Sequence, residues 1–185
     1  FFPAGFYYKT FMWPKSFWYK VYEPFIRKAA GFGVASIKHD KERYEHKYEY
    51  CDLLITGSGP SGLASAYAAA KNGARVILAE DKPRFGGSLL TSEVTIGNQS
   101  GKEWANSIIT ELKEMPNVIV KNRAQVFGYY DHNMLVMSER INDHLPKSKK
   151  YSPKQRLWYI RAKEVVISSG SIERPLVFGN NDTPG

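Results

Sequence analysis

Three glycines stand in the arrangement Gly57-Ser-Gly59-Pro-Ser-Gly62, directly after the apolar run Asp52-Leu-Leu-Ile-Thr56 and directly before an alanine-rich stretch that reaches Asn72-Gly73. Between a buried strand and a helix, each glycine has its own task. The first permits a tight turn, the second lets a pyrophosphate approach the backbone, and the third lets the helix pack close to the strand. The helix start then offers unpaired N–H groups and a partial positive charge to phosphates, with Ser61 inside the same turn. Arg75-Val-Ile-Leu-Ala79 is a second buried run, and Glu80 closes it. That is the separation of roughly 20 residues at which a carboxylate accepts hydrogen bonds from ribose hydroxyls. Glu80 and Asp81 would repel a 2′-phosphate, so the ribose expected here carries none, although Lys82 and Arg84 act in the other direction. Gly86-Gly87-Ser88 offers backbone that can pass beneath the second half of a dinucleotide, and Ser168-Ser-Gly170-Ser offers another small-residue turn at a strand end.

Holding these residues requires a strand, a glycine turn, a helix and a second strand within about 30 residues, a βαβ unit with parallel neighbouring strands. Downstream, Ser100 and Glu103 have capping-box spacing, and Trp104, Ile108, Ile109 and Leu112 fall on one face of a helix that Pro116 closes. Asn117-Val-Ile-Val120 reads as a further strand. From Arg123 to Ala162 the chain reads as extended antiparallel segments, including Asn133 to Ser138 and Gln155 to Ile160, and Glu164-Val-Val-Ile-Ser168 reads as the final core strand. The expected class is α/β: a Rossmann-like FAD/NAD(P)-binding domain with a parallel sheet and an antiparallel β insertion, incomplete at the C-terminus and open at one sheet edge.

The region before Cys51 has another character, because 12 of the 26 aromatic residues lie between Phe1 and Phe25. Such density needs a surface to cover it, on the following domain, a preceding one or another subunit. Ser16 is placed to cap a short helix carrying Phe17, Trp18, Val21 and Tyr22, which Pro24 breaks or kinks. The charged run Lys38 to Tyr50 reads as a surface linker. Residues 1–50 are thus expected to form an aromatic-rich arm and linker, and 51–185 a partial dinucleotide-binding domain. Both ends, Phe1 and Gly185, read as cuts within a longer polypeptide.

A chain of 185 residues supports one full domain and a shorter appendage. No apolar run approaches the roughly 18 residues that a membrane helix needs. One cysteine, Cys51, excludes an internal disulfide framework and a cysteine-rich metal or iron–sulfur site; it fits a reducing, cytoplasmic setting and a place in the core. Within the net charge of +8, Lys147, Lys149, Lys150, Lys154, Arg156, Arg161 and Lys163 form one basic stretch. It reads as a solvated face or as a contact with an acidic partner subunit; no nucleic-acid motif accompanies it. Asp131-His132 and Asp143-His144 lack a spaced third ligand or nucleophile, metal-ligand spacing is absent, and no residue stands out as catalytic.

Further motifs carry a resemblance. Thr10-Phe-Met-Trp-Pro14, Tyr22-Glu-Pro with Ile26-Arg27 and Ala30-Gly31, Arg43-Tyr-Glu-His46, Gly86-Gly-Ser-Leu89, Val126-Phe-Gly-Tyr-Tyr-Asp-His-Asn133, Gln155-Arg-Leu-Trp158 and Ile172-Glu-Arg-Pro-Leu-Val-Phe178 resemble the alpha subunit of heterotetrameric sarcosine oxidases over nearly the whole chain. The resemblance implies an oxidoreductase complex with beta, gamma and delta partner subunits. Such a complex demethylates sarcosine oxidatively to glycine, passes the one-carbon unit to tetrahydrofolate, and holds FMN between alpha and beta. It also implies NAD in this chain, with Gly57, Gly59, Ser61 and Gly62 at the phosphates, Glu80, Asp81 and Lys82 at the adenosine ribose, Gly87 and Ser88 near the second phosphate, and Val126 toward the adenine. No catalytic residue carries over. Two other readings stay open: an FAD-binding subunit of a related imino-acid or opine dehydrogenase, since the glycines and Glu80 would serve FAD equally well, and an assembly module whose dinucleotide is structural and redox-inert.

Overall fold

The structure, a computed structural model, describes residues 13–33, 35–145, 152–171 and 177–180. The aromatic residues before Trp13, the lysines at 147, 149 and 150, and most of the Ile172-to-Phe178 motif lie outside the described residues. The chain divides into two compact units, Phe1–Lys41 and Glu42–Gly185.

In the first unit, a π-helical turn Trp18–Tyr22 runs directly into helix α1, Glu23–Ala29. Two expectations change here. Phe17 rather than Ser16 occupies the cap position, and no side chain caps the turn. Pro24 does not break the helix but sits in the first turn of α1. Proline lacks the N–H that a straight helix would use at that point, and the wider turn just before it absorbs the mismatch. None of the described residues of these two helical segments is buried, and Trp13, Tyr19, Phe25 and Phe32 are largely exposed.

The second unit contains β1 Tyr44–Thr56, α2 Pro60–Lys71, β2 Val76–Ala79, the short hairpin β3 Thr95–Ile96 and β4 Gln99–Ser100, α3 Gly101–Glu114, β5 Val118–Lys121, β6 Ala124–Tyr130, β7 Met134–Arg140 and β8 Gln155–Ile167. The main sheet has the order β5-β2-β1-β8-β7-β6. Strands β5, β2, β1 and β8 run parallel, and β8-β7-β6 are antiparallel. The α/β class, the βαβ unit and the antiparallel addition are therefore as the sequence implies.

Two boundaries differ from expectation. The run Lys38 to Tyr50 is not all linker: β1 starts at Tyr44, and Tyr44 through Cys51 pair in register with Gln155 through Ala162. Likewise, the Gln155-to-Ile160 segment and the final core strand are one strand, β8, which is parallel to β1 on one side and antiparallel to β7 on the other. Charged residues can occupy a strand whose faces are solvated, so the ladder extends beyond the apolar run that marks the core.

Both faces of the parallel sheet are buried. Ile55, Val76 and Leu78 pack with Leu63, Ala66 and Ala70 of α2 and with Ala105, Ile108, Ile109 and Leu112 of α3. On the opposite face Cys51, Leu54, Ile77 and Ala79 pack with Ala124, Leu135, Met137, Trp158 and Ile160. This double coverage explains why β2 is a continuous apolar run rather than an alternating one. The α3 start has the expected capping box: Glu103 N–H donates to Ser100 Oγ, and Ser100 N–H donates to the Glu103 carboxylate at 2.9 Å. Burial pushes the Cys51 thiol up to about 12, so the cysteine is a neutral core residue.

Asp52 fastens three strands at one end of the sheet. Its carboxylate accepts from the Arg75 backbone at 2.9 Å and side chain at 3.1 Å, and pairs with Lys163 of β8 at 2.9 Å. The Arg75 guanidinium first, then Lys163, hold its carboxyl well below the usual carboxylate range. A pKa depressed on folding contributes stability above the unfolded value, and that contribution is lost as pH falls through the folded one. Asp52→Asn should therefore flatten the acid limb of stability against pH, read from denaturation midpoints taken downward from neutral pH; an unaltered acid limb would remove Asp52 as its source.

Candidate functional site

The parallel strands end in a cleft of about 590 Å³, lined by residues from β1, the start of α2, the β2 end, the Gly87–Leu90 turn, β6 and the turn after β8. This is the end of an open α/β sheet where ligands are generally accommodated. Of the ten residues expected to hold a cofactor, Gly57, Gly59, Ser61, Glu80, Asp81, Lys82, Gly87, Ser88 and Val126 all line this one cleft. Gly62 stands behind it.

Geometry assigns the glycines different tasks. At Gly57, φ is +99°, and an added Cβ would lie 2.3 Å from the Ser168 carbonyl oxygen; at Gly62 it would lie 2.0 Å from the Gly57 carbonyl oxygen. These two positions are closed by protein. A Cβ at Gly59 would meet nothing within 4 Å, so the protein itself leaves that position open toward the cleft. Gly59 caps α2 without a side-chain hydrogen bond, Pro60 has no N–H, and Leu63 N–H donates to Gly59 O at 2.9 Å. The remaining first-turn donors, on Ser61 and Gly62, belong to the positive end of a helix of 12 residues.

Glu80 is only 6% exposed although it lines the cleft. Its Oε2 accepts from Ser58 N–H at 2.8 Å and from Ser58 Oγ at 2.6 Å, and its Oε1 accepts from Lys82 N–H at 2.9 Å. A carboxylate has about four lone-pair sites, so Glu80 retains capacity for one further donor, such as a ribose hydroxyl. Asp81 beside it pairs with the Lys82 ammonium, 3.4 Å away. Two carboxylates and one ammonium at this end suit hydroxyls better than a second phosphate.

Sequence reasoning passed over Ser58, which is fully buried between two glycines of the turn. The available signal was a hydroxyl residue sandwiched in a loop of bare backbone. Thr56 at the end of β1 also lines the cleft, as do Ala124 and Gln125, because the start of β6 folds back beside the end of β2: Ala124 N–H donates to Glu80 O at 2.8 Å, and Glu80 N–H donates to Lys121 O at 2.9 Å.

The histidine pairs and the described residues of the basic stretch lie elsewhere. His144 Nδ1 is 3.4 Å from Asp143, and the His132 carbonyl accepts from Arg161 at 2.7 Å. Lys154, Arg156 and Lys163 face Glu42, Glu45 and Asp52. Three residues of the basic stretch are thus matched by carboxylates within the chain, while Arg161 donates to the Asp131 and His132 carbonyls. Among the described residues, no group of three metal-ligating side chains occurs, and no helix is long and apolar enough to cross a membrane.

Gly62→Ala should cost about 1–3 kcal/mol of stability by overpacking, whereas Gly59→Ala should melt close to the parent. Thermal unfolding of both variants without added nucleotide checks this contrast; equal destabilisation would show that Gly59 also serves packing.

Residues 52–143 match the family described as FAD dependent oxidoreductase. The chain is 48% identical over 182 residues, 98% of its length, to sarcosine oxidase subunit alpha of Rhizobium meliloti (strain 1021), of which this stretch is 18%. Sarcosine oxidase subunit alpha of Corynebacterium sp. (strain U-96) is 38% identical over 159 residues, 84% of this chain and 16% of that protein. The chain thus spans less than a fifth of the length of these curated relatives. The crystal structure of L-proline dehydrogenase from P.horikoshii superposes with a TM-score of 0.57 at 21% identity, covering 82% of this chain and 28% of that one, a likeness of fold.

Proposed function

We propose, from the premise that this chain belongs by homology to the family of sarcosine oxidase alpha subunits, that its cleft binds a dinucleotide, NAD, by the adenosine half. The observation that carries this reading is the union of an uncrowded Gly59 at a helix N-terminus with a buried Glu80 carboxylate in one cleft. Pyrophosphate oxygens would accept from backbone at Gly59, Ser61 and Gly62, with Gly57, whose own N–H donates to Ala79 O at 2.8 Å, turning the chain beneath them; one adenosine hydroxyl would donate to Glu80 and another to Asp81, with Lys82 beside them. Val126 on β6 supplies an apolar edge for the adenine, and Gly87 with Ser88 face the second phosphate. A nicotinamide held here would supply hydride transfer. These residues do the holding: they fix the adenosine end and leave bare backbone where the dinucleotide must pass.

The wider reading rests on the family. The whole protein would be an oxidoreductase acting on CH–NH donors, oxidising sarcosine to glycine within a heterotetramer of alpha, beta, gamma and delta subunits. It would pass the one-carbon unit to tetrahydrofolate and share FMN with the beta subunit. A cytoplasmic setting agrees with a lone, buried, neutral cysteine. A second reading is favoured by the match to FAD dependent oxidoreductases: the same adenosine contacts serve FAD, as an imino-acid or opine dehydrogenase subunit would use it. An assembly role with a redox-inert dinucleotide uses the same cleft without turnover.

The full-length subunit, purified with and without its partners and its released cofactors identified by absorbance and mass spectrometry, separates these readings. NAD is the expected result, with Gly59→Ala depleting it; FAD in its place would favour the dehydrogenase reading, and a well-folded protein free of any nucleotide would end the proposal.

A further inference from the structure

We infer that Ser58 is a positioning residue whose hydroxyl joins the two halves of the cleft, so that preference for a dinucleotide over a mononucleotide depends on it. The inference rests on the reading of the cleft as a dinucleotide site. Ser58 is fully buried, and its side chain bonds to two separate stretches of chain beyond its own. Its hydroxyl donates to Glu80 Oε2 at 2.6 Å and accepts from Gly86 N–H at 3.2 Å. One oxygen therefore connects the carboxylate at the adenosine end to the turn that carries Gly87 and Ser88.

The distances give this link leverage over ligand geometry. Gly86 and Gly87 have φ of +124° and +54°, and a Cβ on Gly87 would lie 2.8 Å from the Gly59 Cα. The Gly86-Gly87 turn thus lies directly against the phosphate-facing glycine, and a small displacement changes the spacing between Gly59 and Ser88. A mononucleotide uses only the Glu80 side of that spacing. A dinucleotide uses both sides, so its affinity depends on the spacing being fixed before it binds. A hydrogen bond between a hydroxyl and a carboxylate is short and strong, which makes Ser58 Oγ a stiff connector.

The hydroxyl does not hold the loop alone. Gly86 N–H also donates to the Ser58 carbonyl at 3.0 Å, and Ser58 N–H donates to Glu80 at 2.8 Å. Ser58→Ala removes the two side-chain bonds and leaves both backbone bonds. The fold is retained and the cleft loosened. The same change returns a lone pair on Glu80 Oε2 to ribose hydroxyls, which protects mononucleotide binding further.

Calorimetric titrations of the nucleotide-stripped, full-length protein with NAD, FAD and AMP test this, on the parent, Ser58→Ala and Ser58→Cys, with melting temperatures recorded alongside. Cysteine keeps the size of the side chain with a weaker hydrogen bond. The ratio of dinucleotide to AMP affinity should fall about tenfold in Ser58→Ala, and less in Ser58→Cys, with melting close to the parent. Equal losses for AMP and dinucleotide, or unchanged affinity for both, would overturn the positioning role. A parent protein that binds neither dinucleotide would instead remove the proposed function, and this inference with it.

Discussion

The first turn of α2 lies against the ends of β1 and β8 with no room for a side-chain carbon between them. Any Cβ at Gly57 or Gly62 would fall well inside contact distance of a carbonyl oxygen. The rest of the site follows from that approach. Because the helix starts so close to the strand ends, its first turn lines the cleft together with Ser168 of the turn after β8. Moving the helix outward by the width of a methyl group would separate the positive helix end from the backbone that must share the phosphates with it.

The second constraint is electrostatic. Glu80 is buried next to the glycine turn, and an ionised carboxylate withdrawn from water is costly unless donors surround it. Ser58 and Lys82 provide those donors, so one side chain at the wall of the cleft also orders the glycine turn beside it. A matching arrangement supports the scaffold. Glu139 of β7, also buried, accepts from Trp158 Nε1 at 2.7 Å and from Arg156 at 3.2 Å, and pairs with Lys121 of β5 at 3.0 Å. Trp158 is thereby enclosed by charged groups, with Lys47 4.3 Å above its ring. This pairing joins the antiparallel strands to the end of β5, which leads through Glu80 N–H and Ala124 to the floor of the cleft.

The two carboxylates differ in what remains to them. Glu139 is engaged by three side chains and has the character of a fixed structural charge. Glu80 is engaged on one oxygen by two donors and on the other by one, with an open position facing the cleft. The two differ in unused lone pairs and not in depth of burial.

Much of this was legible in the residues themselves. The glycine spacing, the apolar runs at Leu53 to Ile55 and Val76 to Ala79, the box at Ser100 and Glu103, and the acid at Glu80 each carry a local requirement: a positive φ, a strand buried on both faces, a helix start, a strand end. Local requirements are written at fixed offsets along the chain, which is why the order of elements could be read. What depended on partners far away in sequence could not. Tyr44 to Tyr50 has strand alternation but also the charge of a linker, and only pairing with Gln155 to Arg161 decides between them. Pro24 stands in a continuing helix because the turn before it widens. Ser58 became a connector only when Glu80, 22 residues on, and Gly86, 28 residues on, were brought to one oxygen. The sequence by itself determined which backbone could turn, pack and meet a phosphate. Tertiary structure alone decided which buried polar groups would share hydrogen bonds, because that is settled by distances that chain separation does not encode.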